Sequence, residues 1–88
     1  KLYLVITFHT TAAAMAMERL CREQALPGRL IPVPREITAD CGMAWRAQPE
    51  DQPALEALTG QEGLETEGFY QLLLCKKEEK GGFYPAFR

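Results

Sequence analysis

From Leu2 to Phe8 the side chains divide by a two-residue period. Leu2, Leu4, Ile6 and Phe8 share one face and Tyr3, Val5 and Thr7 the other, as in a β-strand. Both faces are largely apolar, which predicts a central strand covered on each side. Beyond Thr10 the period becomes helical. Ala13, Ala16, Met17 and Leu20 form an apolar stripe, and Glu18, Arg19, Arg22 and Glu23 fall opposite it. Thr10 or Thr11 supplies the oxygen that accepts a first-turn amide hydrogen. The helix is expected to run to Ala25, with Pro27-Gly28 stopping it.

Arg29 to Val33 reads as a short strand whose Pro32 donates no ladder hydrogen bond, so it belongs at a sheet edge or a bulge. A polar connection from Arg35 to Cys41 leads to a third strand, Gly42 to Ala47, carrying Met43, Ala44 and Trp45. Pro49, Glu50 and Asp51 suit the positive end of a second helix, Leu55 and Leu58 point inward, and Gly60 is expected to close it. Gly68 to Cys75 gives a fourth strand. Trp45, alternating with Met43, is expected in the core or an interface.

The order strand, helix, strand, strand, helix, strand predicts an α+β, ferredoxin-like βαββαβ fold, with two helices on one face of a four-stranded antiparallel sheet. The domain is expected over residues 1–75, followed by a charged and then aromatic extension over residues 76–88. Tracing the strand directions brings the second hairpin, with Cys41, to the same edge as His9, Thr10 and Thr11. Cys21 falls about 15 Å along the first helix from its capping threonines, and Cys75 lies at the lower end of the fourth strand. A disulfide tolerates only about 7 Å between Cα atoms, so no bond from Cys41 to either is expected.

Among 88 residues, 47% are hydrophobic and the formal net charge is -2, a balance that suits one small globular core. No basic patch marks a nucleic acid or an anionic membrane as partner. Apolar runs such as Leu2 to Ile6 fall far below the roughly 20 residues of a membrane span. No secretory leader pattern opens the sequence, so a cytoplasmic location is expected. Three cysteines without close pairing do not make a disulfide framework, and Cys21 and Cys75 read as small core residues.

Cys41 stands apart because it lies in a polar loop beside Gly42. A thiol reacts as its thiolate, a form favoured by cations and by amides at a helix start. Arg35, Gly42, Thr10 and Thr11 are the expected anion-binding residues around it, while the neighbouring carboxylate of Asp40 opposes a second negative charge. Arg29 and Arg46 are further candidates for an anion pocket, weaker than Arg35. His9 is read as a solvated loop residue. No phosphate loop, serine-histidine-aspartate set or cluster of metal ligands is visible, and neither a metal nor a cofactor is expected.

The segment from Gly28 to Ile37, with Pro32-Val33-Pro34-Arg35 at its centre, and then Asp40-Cys41-Gly42-Met43-Ala44-Trp45, resembles the putative selenium/sulfur carrier protein-like family, small bacterial domains of unknown function. The likeness takes in the opening strand, Phe8 with its threonines, and Met15, Met17 and Glu18. It implies a carrier, with Cys41 holding sulfur or selenium as a persulfide or perselenide between donor and acceptor proteins. Some relatives carry a second cysteine after the tryptophan, where this chain has Arg46, so the resemblance implies a single-thiol carrier more than an enzyme with turnover. The alternative is an interaction or regulatory module, a homo-oligomer formed through a sheet edge or the aromatic tail, with Cys41 structural or redox-sensing.

Overall fold

The computed structural model describes residues 1–74. Their elements are β1 (Leu2–Thr7), α1 (Thr11–Glu23), β2 (Arg29–Pro32), β3 (Met43–Ala47), a 3-10 turn (Pro49–Asp51), α2 (Gln52–Glu62) and β4 (Gly68–Leu73). The sheet order is β2-β3-β1-β4, and every neighbouring pair is antiparallel. Both helices cover one face, which makes this the ferredoxin-like arrangement the element order predicts.

β1 is central, as its two apolar faces require: Leu4, Val5, Ile6, Thr7 and Phe8 have no exposed surface. Strand register lines up Leu30, Trp45, Ile6 and Phe69 in one row across all four strands. That row faces the helices and packs with Met17, Leu20, Leu55 and Leu58 in the main core. Tyr3, Val5, Ile31, Ala44 and Leu74 form a second buried cluster on the other face, against which Ile37 packs. The Arg46 guanidinium lies 4.8 Å from the centre of the Tyr3 ring, a cation–π contact that covers this outer face. β2 is an edge strand, as Pro32 demands, and β4 is the other edge.

Several boundaries and one stripe differ from the expectation, and the choice between the two capping threonines is decided. Thr10, not Thr11, caps α1: its Oγ1 accepts the Ala13 N–H at 3.1 Å. The buried side chains of α1 are Ala14, Met17, Leu20 and Cys21, so the stripe is rotated away from Ala16. A run of alanines carries no difference in size to mark which one faces inward. α1 also ends before Pro27-Gly28. The Leu26 N–H donates to Cys21 O at 2.8 Å and the Ala25 N–H to Arg22 O at 3.3 Å, the paired bonds of a Schellman ending. Ala25 stands in the left-handed region at φ 58°.

Gly60 lies within α2, and Gly63, at φ 65°, closes the helix, with the Leu64 N–H donating to Thr59 O at 2.9 Å. Asp51 opens that region: its Oδ2 accepts the Gln48 N–H at 3.4 Å. β4 ends at Leu73. The expectations for Cys75 and for the charged and aromatic extension lie outside the described residues.

Gly28 does not stop a helix but makes room. A Cβ built there would run into the Trp45 indole, so the backbone approaches the core tryptophan at the one residue type that permits it.

Two substitutions at positive-φ positions are expected to act in opposite directions. Ala25→Gly relieves a left-handed alanine and is expected to stabilise the protein by about 1 kcal/mol. Gly28→Ala is expected to destabilise it by about 1–3 kcal/mol through overpacking against Trp45, with the strain of an alanine at φ 137° adding to the loss. Urea unfolding midpoints that move in the same direction for both would contradict this account.

Candidate functional site

Three segments meet beyond the carboxyl end of β1. The strand finishes at Thr7, whose carbonyl accepts the Glu67 N–H at 2.7 Å and so fixes the approach to β4. Two residues later comes His9, and Thr10 then turns the chain into α1. The third segment is the β2–β3 loop, which is closed at its base by the Val33 N–H donating to Gly42 O at 3.0 Å.

Within that loop the Ile37 N–H donates to Pro34 O at 3.1 Å, and the Gly42 N–H donates to Ala39 O, also at 3.1 Å. Pro34 is fully buried. Ile37 packs on the outer-face cluster, while Cys41 packs against the helix-side core. The connection read as polar is therefore seated on both faces of the sheet's end by its few apolar side chains.

Cys41 is half-buried and free, and Cys21 is buried and free. The Cys41 sulfur accepts the Met43 N–H at 3.3 Å and donates its own hydrogen to Met43 O at the same distance. A backbone amide thus already points at the sulfur, beside the carbonyl that takes the thiol hydrogen. Among the described residues Cys21 has no such partner, and burial pushes its thiol up to about 11, because a thiolate in apolar surroundings loses its hydration.

The expected convergence of the Cys41 loop with the start of α1 is visible through Asp40, whose Oδ2 lies 3.2 Å from His9 Nδ1. The other oxygen contact of that ring atom is Glu67 Oε2, at 3.5 Å. His9 is half-exposed but not simply solvated, since two carboxylates face one of its nitrogens. Its pKa is raised above 6.5, mainly by the hydrogen bond to Asp40, against some desolvation, with further attraction from Glu67, Asp40 and Glu65. When the imidazole is protonated it offsets part of the Asp40 charge that opposes a thiolate next door.

The remaining candidates divide. Arg35 is exposed in the loop turn. Gly42 takes φ 77° with open space where a Cβ would stand, so the turn itself, not crowding, selects glycine. The Thr10 oxygen is engaged as an acceptor in the helix cap, and Thr11 is the exposed first residue of α1. Arg29 and Arg46 do not join an anion pocket at the loop. They oppose each other three ladder steps from the Pro32–Met43 pair, about 10 Å along the strands, and Arg46 is stacked on Tyr3. Glu67 is the residue that the sequence pattern did not single out. Its place beside His9 follows from strand pairing and has no signature in local spacing.

The sequence matches the family described as "Putative Se/S carrier protein-like" over residues 3–71. The chain belongs to that family. The match covers every element from β1 into β4, including the Cys41 loop. No curated protein and no solved structure matches the chain. Among the described residues, no helix of this Se/S carrier-like protein is long and apolar enough to cross a membrane.

Two measurements check the site. In an NMR titration the single histidine is expected to titrate above 6.5, and Asp40→Asn is expected to lower its pKa. The raised value means that the imidazolium's contribution to stability is full below 6.5 and is lost as pH rises through the folded-state pKa. An unchanged His9 titration in the Asp40→Asn protein would contradict the bond. Limited alkylation at pH 8 is expected to label Cys41 well before Cys21, because a thiol near 11 is ionised to roughly one part in a thousand there. Peptide mapping that finds equal labelling would place Cys21 in solvent.

Proposed function

We propose that the protein is a single-thiol carrier of sulfur or selenium and that Cys41 is the carrying residue. The observation that supports this reading most directly is the contrast between two free thiols. One is sealed in the core, and the other is half-exposed on a hydrogen-bonded loop with an amide directed at its sulfur. Membership of a family described as Se/S carrier-like points to the same class of function.

In the loading step, Cys41 gives its proton to water and the resulting thiolate attacks the terminal sulfur of a donor protein's persulfide. A new sulfur–sulfur bond forms at Cys41 as the donor's bond breaks, and the electron pair leaves with the donor thiolate. The Met43 amide serves the thiolate before attack. Arg35 and the unpaired first-turn amides of α1 are the groups available to the anionic persulfide once the second sulfur extends from the loop. Delivery is the same exchange with an acceptor nucleophile attacking the outer sulfur. Selenium follows the same path as a perselenide.

Incubation with a cysteine desulfurase and cysteine, followed by intact mass under non-reducing conditions, tests the assignment. The expected product carries one added sulfur, retains it in Cys21→Ala, loses it on reduction and does not form in Cys41→Ser. An adduct that persists undiminished in Cys41→Ser, or no adduct at all, would sink the carrier role of this thiol.

A further inference from the structure

His9, Asp40 and Glu67 come from three separate segments: the β1–α1 turn, the β2–β3 loop and the approach to β4. Their ligand atoms nevertheless all lie within 4.8 Å of one another. We propose that these three side chains form a binding site for a divalent first-row transition ion of the zinc class, at the foot of the Cys41 loop.

The spacing is the first argument. Bonds of about 2.0–2.2 Å in a tetrahedral zinc site put neighbouring ligand atoms about 3.3–3.6 Å apart. His9 Nδ1 stands 3.2 Å from Asp40 Oδ2 and 3.5 Å from Glu67 Oε2, so one edge at the nitrogen has that length and the other is about 0.1 Å short of it.

The second argument is an unmet need. Among the described residues, Glu67 Oε1 is sealed from solvent and has no hydrogen-bond partner. A buried carboxylate oxygen without a donor is costly, and an ion held at Oε2 with His9 and Asp40 brings positive charge to that same carboxylate.

The third argument is how the ligands are held. The Glu67 backbone is bonded to Thr7, and Asp40 lies in the turn closed by Gly42 N–H and Ala39 O. His9 is fixed between the end of β1 and the α1 cap. Three ligands therefore need little ordering when the ion arrives. One imidazole nitrogen with two carboxylates selects zinc-like ions over magnesium or calcium, which favour oxygen alone. Neutral imidazole and two carboxylates balance a charge of +2, with the Nδ1 proton released to water.

The side chains of His9 and Asp40 remain 50% and 69% exposed. The site is thus open on one side, with a coordination position left for water or an anionic ligand. Asp40 immediately precedes Cys41, so occupancy would tie the thiol loop to the start of α1. The assignment does not rest on the carrier reading, because Cys41 is not among the ligands.

The test uses full-length protein stripped with chelator and titrated with zinc alone by calorimetry, alongside a long-range proton–nitrogen NMR spectrum of the single histidine. One equivalent is expected, bound through His9 Nδ1. Asp40→Asn and Glu67→Gln, which keep side-chain shape, are each expected to weaken it at least roughly tenfold. Cys41→Ser is expected to leave the affinity unchanged. No saturable uptake, uptake indifferent to both carboxamide variants, coordination through Nε2, or loss in Cys41→Ser would each overturn the site.

Discussion

Everything in this molecule is referred to β1, a strand buried on both faces. Its inward row anchors the two helices, and its outward row supports a second cluster under Tyr3 and Arg46. Burial on both sides leaves β1 no freedom to shift register, because a slip by one residue would exchange the two apolar faces and misplace Thr7. Fixing Thr7 fixes the Glu67 backbone that bonds to it and the position of His9 two residues on. The corner that holds the candidate site is thus a direct extension of the core.

The loop bearing Cys41 illustrates how that core is used. Ile37 seats its first half and Cys41 its second, on opposite faces of the sheet's end, and Pro34 is buried at its start. Asp40 then reaches across to His9. The two free thiols differ accordingly: Cys21 has been given up to packing, while Cys41 keeps part of its surface and an amide partner. The same loop offers a carboxylate to the neighbouring histidine and sulfur to solvent.

Much of the fold was legible in sequence because its signals are strong where burial is one-sided or complete. The double apolar face of β1 gave its central position, Pro32 marked an edge, and the element order led to the sheet topology. What was not legible was set by tertiary packing. Six alanines and methionines in early α1 do not announce which of them turns inward, and Ala25 occupies a conformation for which glycine is the usual sign. At the site, the meeting of the Cys41 loop with the start of α1 followed from strand directions. The arginines were harder, because only the strand register shows that Arg46 faces Tyr3 instead of the loop. Glu67 had no local signal, since nothing but the pairing of β4 with β1 brings it beside His9.

The anchoring of the 34–42 loop has a mechanical consequence. It is clamped at its base, braced by internal turns and seated by side chains at several points, so it does not make a swinging arm. Any atom held on Cys41 moves only as far as the whole domain moves. On the carrier role proposed above, giver and receiver would each have to press a complementary surface against this corner, and its shape would then be a means of choosing between them.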